Sequence, residues 1–106
     1  MIITPAAAVA GHRTVKSLGL VKGNTIRARH LGKDILAVFK NVVGGEIEEY
    51  TKMMAEARDQ AIDRMCAEAE SLGANAIIDV RFSTSYLMGA ASEIMAYGSA
   101  VMIEPE

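Results

Sequence analysis

Scarcities narrow the reading of this 106-residue chain before any motif does. It has one cysteine, so no internal disulfide can staple the fold, and a reducing compartment suits it. No apolar run approaches the roughly 18 residues that a membrane-spanning helix needs. Residues 1–11, Met-Ile-Ile-Thr-Pro-Ala-Ala-Ala-Val-Ala-Gly, lack the basic leading segment of an export signal, and Pro5 interrupts their apolar stretch. They read as part of the mature protein, and the expected location is the cytoplasm. Charge of one sign is also missing. Acids and bases mix along the chain to a net −2, which leaves no electrostatic footprint for nucleic acid or an anionic membrane.

Apolar surface, by contrast, is abundant. Hydrophobic residues make up 51% of the chain and the mean hydropathy is positive. A domain of this size buries only about 60–65% of its unfolded surface. With no linker composition anywhere, residues 1–106 read as a single domain whose apolar surplus predicts a subunit interface.

The pattern changes period along the chain. His12 to Arg29 shows short alternations broken by Gly19 and Gly23, which read as extended structure. Gly23-Asn24 fits a two-residue hairpin turn, and a single strand kinked at the glycines fits the same spacing. Ile35, Leu36, Val38, Phe39, Val42 and Val43 recur at helical separations and predict a short buried helix near 33–43, ended by Gly44-Gly45. From Glu46 to Leu72 the helical period is clear, with Ile47, Tyr50, Met54, Ala57, Ala61, Met65 and Leu72 in one stripe. A helix over 46–72 spans about 40 Å at 1.5 Å per residue. Glu46, Glu48 and Glu49 complement its positive N-terminal end. A second row, Thr51, Ala55, Ile62, Cys66 and Ala69, predicts a second packing partner, another subunit.

Gly73 stands where a left-handed residue would close that helix, and a strand pattern starts at Ala76. Strict alternation would place Ala76, Ile78, Val80, Phe82, Thr84 and Tyr86 on one face and Ile77, Asp79, Arg81, Ser83 and Ser85 on the other. The last strand, Ile94 to Ile103, is apolar or small on both faces and therefore predicts cover on both sides. One long helix can cover only one of them, so oligomerisation is the economical source of the second.

Gly19-Leu-Val-Lys-Gly23, Arg27-Ala-Arg29, Val43-Gly-Gly45, Tyr50, Ala57-Arg-Asp-Gln-Ala61, Leu72-Gly-Ala-Asn-Ala76 and Tyr97-Gly-Ser-Ala100 occur in this order. In that ordered set the chain resembles the YbjQ-like family from about Val15 to its end. The resemblance implies an α+β subunit, like that of dodecin, with the long helix packed on an antiparallel sheet. It also implies a homopentameric ring in which added strands join neighbours, and it carries the family description "putative heavy-metal-binding".

The donor inventory for a metal is thin. Thiolates and imidazoles must converge to hold a soft or borderline ion, and the chain offers Cys66, His12 and His30 without Cys-x-x-Cys or His-x-x-x-His spacing. Cys66 is the candidate ligand for a soft metal, needing symmetry-related copies or methionine thioethers to complete a site; its alternative is a packed, small apolar residue. The seven methionines read mostly as core.

Catalytic arrangements are weaker. Neither histidine is placed to activate Cys66 or Ser99. Glu68 falls near the centre of the apolar stripe, and Arg64, four residues earlier, is its expected ion-pair partner. Asp79 and Arg81 suggest either a polar site between subunits or an ordinary salt bridge. The glutamates after Gly44-Gly45 would repel a phosphate there, and no aromatic residue interleaves with Arg27, Arg29, His30 and Lys33 for base stacking. The sequence thus predicts no enzyme and no nucleic-acid binding. It predicts an oligomeric binding protein for a soft metal or small ligand, with a structural or adaptor ring that binds a protein partner as the alternative.

Overall fold

A helix can lie on a sheet only as closely as the side chains between them allow, and here a glycine and a row of alanines set that distance. The computed structural model describes residues 1–28, 48–86 and 91–106. The elements run β1 (Ile2–Ile3), β2 (His12–Ala28), α1 (Glu48–Ser71), β3 (Ala76–Tyr86) and β4 (Ala91–Pro105). They form one four-stranded sheet of order β1-β3-β4-β2 with α1 across one face, chiefly over β2 and then β4. The short helix expected near 33–43 lies outside the described residues.

The sheet is not wholly antiparallel. β3–β4 and β2–β4 are, but β1 pairs parallel to β3, with Ile2 opposite Ala76 and Ile3 opposite Ile77. The whole of β2 and α1 lies between them in sequence, so the connection is long enough for a parallel pair, which a tight turn is not. β2 resolves the hairpin question: it is one 17-residue strand, and Gly23 and Asn24 sit within it opposite Ala96 and Met95. Two register shifts, between Thr14 and Lys16 and between Ser17 and Gly19, add the bends that the glycine spacing anticipated.

The expected alternation along β3 fails at one place for one reason. Ile78 pairs with Ser99 and Arg81 with Tyr97, so Asp79 and Val80 together oppose Gly98. Asp79 takes a positive φ of 54°, a conformation aspartate tolerates better than most residues. The extra residue reverses the two-residue phase. Ile77 and Val80 therefore both pack into the helix-side core, whereas Ala76 and Ile78 join Val101 and Ile103 in a second cluster. The N-terminal segment takes up amides at the bulge: Asp79 N–H donates to the Ala6 carbonyl at 3.0 Å and Val80 N–H to the Thr4 carbonyl at 3.1 Å.

β4 is buried on its helix side from Ser92 through Ala100 and half-buried on the other from Glu93 through Ser99. Part of the second cover comes from the chain itself, because Val9 packs on the Ala76–Val101–Ile103 cluster. Asn75 ties down the same end. Its side chain donates to the Ile103 carbonyl at 2.9 Å and accepts from Ile103 N–H at 2.8 Å.

On α1, Ala57, Ala61, Met65 and Ala69 are fully buried. Ala69 was expected to face another subunit but belongs to this core, with Ile62 and Cys66 packed at its margin. From Ala57 to Ala69 the two rows form one broad face, whereas Thr51 is exposed. The helix ends as the sequence predicts: Gly73 has φ +85°, its N–H donates to Glu70 at 3.0 Å and Ala74 N–H donates to Ala69 at 3.0 Å. Leu72, expected in the stripe, is 45% exposed because the helical path stops before it can reach the sheet.

A Cβ on Gly23 would stand 2.0 Å from the Ala61 carbonyl oxygen, 2.5 Å from the Met65 nitrogen and 2.8 Å from the Arg64 Cβ. Backbone meets backbone there. Two further bonds fix the crossing: Thr25 Oγ1 donates to the Ala57 carbonyl at 3.0 Å, and the Arg64 guanidinium donates to the Asn24 carbonyl. Gly23→Ala must push the helix off β2 and is expected to cost about 3 kcal/mol or more, an overpacking penalty. Gly73→Ala keeps its space and bears only the left-handed penalty of about 1 kcal/mol. Urea denaturation at fixed protein concentration checks the order; a Gly23→Ala protein at least as stable as Gly73→Ala contradicts it.

Candidate functional site

Cys66 lies on α1, half-buried at the margin of the helix-side core. Burial pushes its thiol up from its ordinary pKa, and the carboxylates of Glu70 and Asp63 push it further, while the α-amino group of Met1 draws it partly back. Both carboxylates follow from helix spacing, one three residues before the cysteine and the other four after. The thiolate, the form that ligates metals, is thereby disfavoured. Among the described residues, no three His, Cys, Asp or Glu side chains gather where they could hold an ion. Among the described residues of one chain, Cys66 thus has no assembled set of co-ligands.

The other sequence candidates disperse. His12 places Nδ1 2.9 Å from the Ala10 carbonyl, at the start of β2, and His30 lies outside the described residues. Glu68 is exposed rather than central in the stripe, and its backbone carbonyl accepts from Ser71 Oγ at 2.6 Å. Arg64 turns to the Asn24 carbonyl on β2 in place of Glu68. Arg27 donates to Gln60 Oε1 at 3.0 Å, which ties β2 to α1. Among the described residues the single ion pair is Arg13–Glu104, at an exposed strand end.

Asp79 and Arg81 also separate. They form no ion pair with each other, and Arg81 Nη1 donates to the carbonyls of Pro5 and Val80 at 2.9 Å each. Arg81 thereby stands at an open groove of about 390 Å³ between the N-terminal segment, α1 and β3. Thr4 and Pro5, which wall it, carried no functional signal in the sequence. The signal available was Pro5, which cannot donate to a strand ladder and so ends β1 early.

At a fixed pH near neutrality, Cys66 should react with iodoacetamide more slowly than the same cysteine in the urea-unfolded chain. Asp63→Asn and Glu70→Gln should each raise the folded-state rate roughly two- to fivefold, a fraction of the tenfold carried by one pKa unit. Rates that fall in both variants, or a native rate above the unfolded one, would contradict the raised thiol.

Comparison with known proteins places this geometry in a family. A family model described as "Putative heavy-metal-binding" matches residues 1–104. A UPF0145 protein of Dehalococcoides mccartyi strain 195 is 66% identical over 104 residues, covering 98% of this chain and all of that protein. UPF0145 proteins of Methanosarcina acetivorans and Pyrococcus abyssi are 52% and 49% identical, over 97% and 100% of this chain and 97% and 93% of theirs. The crystal structure of a protein of unknown function from the DUF74 family of Pediococcus pentosaceus superposes with a TM-score of 0.69 over 98% of both chains. At 19% identity it speaks for the fold. The match across nearly the whole chain, in family model and relatives alike, means that this protein belongs to the YbjQ family, also named UPF0145.

Proposed function

We propose that this chain is a non-enzymatic binding protein that works as a closed homo-oligomer, five copies joined through their sheets into a ring. One observation carries the reading: among the described residues β2 is a 17-residue edge strand, with Val15, Leu20 and Ile26 51%, 67% and 61% exposed. Long apolar edges are aggregation hazards unless another chain or element covers them. The shape agrees. The radius of gyration is 17.4 Å, against about 13 Å for a compact domain of this length. Dodecin-like strand addition between neighbours would use such an edge.

In this reading a soft metal, if bound, takes Cys66 together with donors from another copy, since the described residues of one chain gather too few. The raised thiol favours a second reading, a ring that recognises a protein partner and has no small-molecule site. Either ring fits a cytoplasmic location. Among the described residues no helix is long and apolar enough to cross a membrane.

Native mass spectrometry should find one closed species of five copies, and Leu20→Asp with Ile26→Asp should shift it to smaller species. A monomer at micromolar concentration would contradict the assembly. Titration with Cd²⁺ should give stoichiometric uptake that Cys66→Ser abolishes. No uptake by the native protein removes the metal reading and leaves the adaptor ring.

A further inference from the structure

The groove beside Arg81 combines apolar walls with a cation held in place. Ile62 comes from α1, Val80 and Phe82 from β3, and Ile3 from the N-terminal segment, and together they line about 390 Å³. That lies in the range of small-molecule sites, about 300–1,000 Å³. Phe82 is 47% exposed, an unusual cost for a ring that lies on the side of the sheet where the helix packs. The bulge at Asp79–Val80 is what turns Val80 and Phe82 to that side.

Arg81 supplies the polar end. Its Nη1 is anchored by the carbonyls of Pro5 and Val80 at 2.9 Å each. Its Nε and Nη2 meet no acceptor among the described residues, and no described carboxylate pairs with it. A guanidinium fixed on one side, with a free fork on the other, matches a carboxylate in two parallel hydrogen bonds. Anchoring removes much of the ordering cost that a free arginine would bear on binding. A single cation among apolar walls suits a monoanion better than a phosphate group.

We propose that this groove binds a small monocarboxylate with an apolar body, its carboxylate on Arg81 and its body against Ile62, Val80 and Phe82. The inference goes beyond the ring and the metal reading, since Cys66 is not among the wall residues. The probes are octanoate and its neutral counterpart 1-octanol, titrated into the full-length protein and followed by NMR. Octanoate should give saturable shifts confined to the surroundings of Ile62, Val80 and Phe82. Arg81→Gln should weaken octanoate about tenfold, the loss of a charge-assisted pair, and leave 1-octanol unchanged. Ile62→Phe, which fills the groove from a partly exposed helix position, should weaken both. Lys22→Gln, a cation on β2 two strands away from Arg81 and outside the groove lining, should weaken neither. The inference is overturned if octanoate and 1-octanol bind equally, if Arg81→Gln has no effect, or if octanoate perturbs other surfaces only. A groove already covered by a second copy in the assembled protein, seen as no octanoate response at these residues, overturns it as well.

Discussion

The structure depends on the backbone-to-backbone approach of α1 to β2 at Gly23. Small residues at Ala57, Ala61 and Ala69 bring the helix down, and the missing side chain at Gly23 lets it arrive. At that distance the Thr25 hydroxyl can reach the Ala57 carbonyl and the Arg64 guanidinium the Asn24 carbonyl, bonds that a thicker layer of side chains would forbid. Met65 then fills the space beside the contact. As one of the largest fully buried side chains, it contributes about 2 kcal/mol by burial. Fixing the helix on β2 also fixes which strand faces are inside: Val21, Gly23 and Thr25 lie under the helix and Leu20 and Ile26 do not.

That choice leaves work undone elsewhere, and the functional reading follows from it. One helix covers one side of the inner strands. Val9 and the N-terminal segment cover one end of the other side, and β2 keeps an apolar edge. The same N-terminal segment satisfies the β3 bulge, anchors Arg81 and walls the groove, so a single short arm links fold completion to the candidate binding site. Cys66 stands apart from that arrangement. Its neighbours Asp63 and Glu70 disfavour the thiolate, and among the described residues no cluster of donors gathers around it.

Much of the fold was legible in the sequence because it rests on local rules. The 3.6-residue period marked α1 from Met54 through Met65, and Gly73 marked its end through a conformation that glycine adopts freely. What was not legible depends on non-local pairing. Nothing in Ile78-Asp79-Val80-Arg81 announces a bulge; its displaced amides are taken up by the N-terminal segment, more than 70 residues away in the chain. Missing it put Val80 and Phe82 on the face opposite Ile77, whereas the bulge brings them to the same side. Arg64 shows the same limit at side-chain level, since helix spacing offered Glu68 and the fold offered a strand carbonyl instead. Of the candidate site, the scarcity of thiolate and imidazole donors was legible by counting, with one cysteine and two histidines in the chain. The groove was not, because its walls come from three separate parts of the chain.

Amide hydrogen exchange across the assembled protein tests the central claim most directly, because exchange reports which units open last. If the contact at Gly23 organises the structure, the slowest amides will be those of Ala61 to Ala69 in α1 and Val21 to Thr25 in β2, opening only with global unfolding. Faster exchange in those two segments than in the far end of β3, Ser83 to Tyr86, would show that the helix–strand contact is not what holds the fold together.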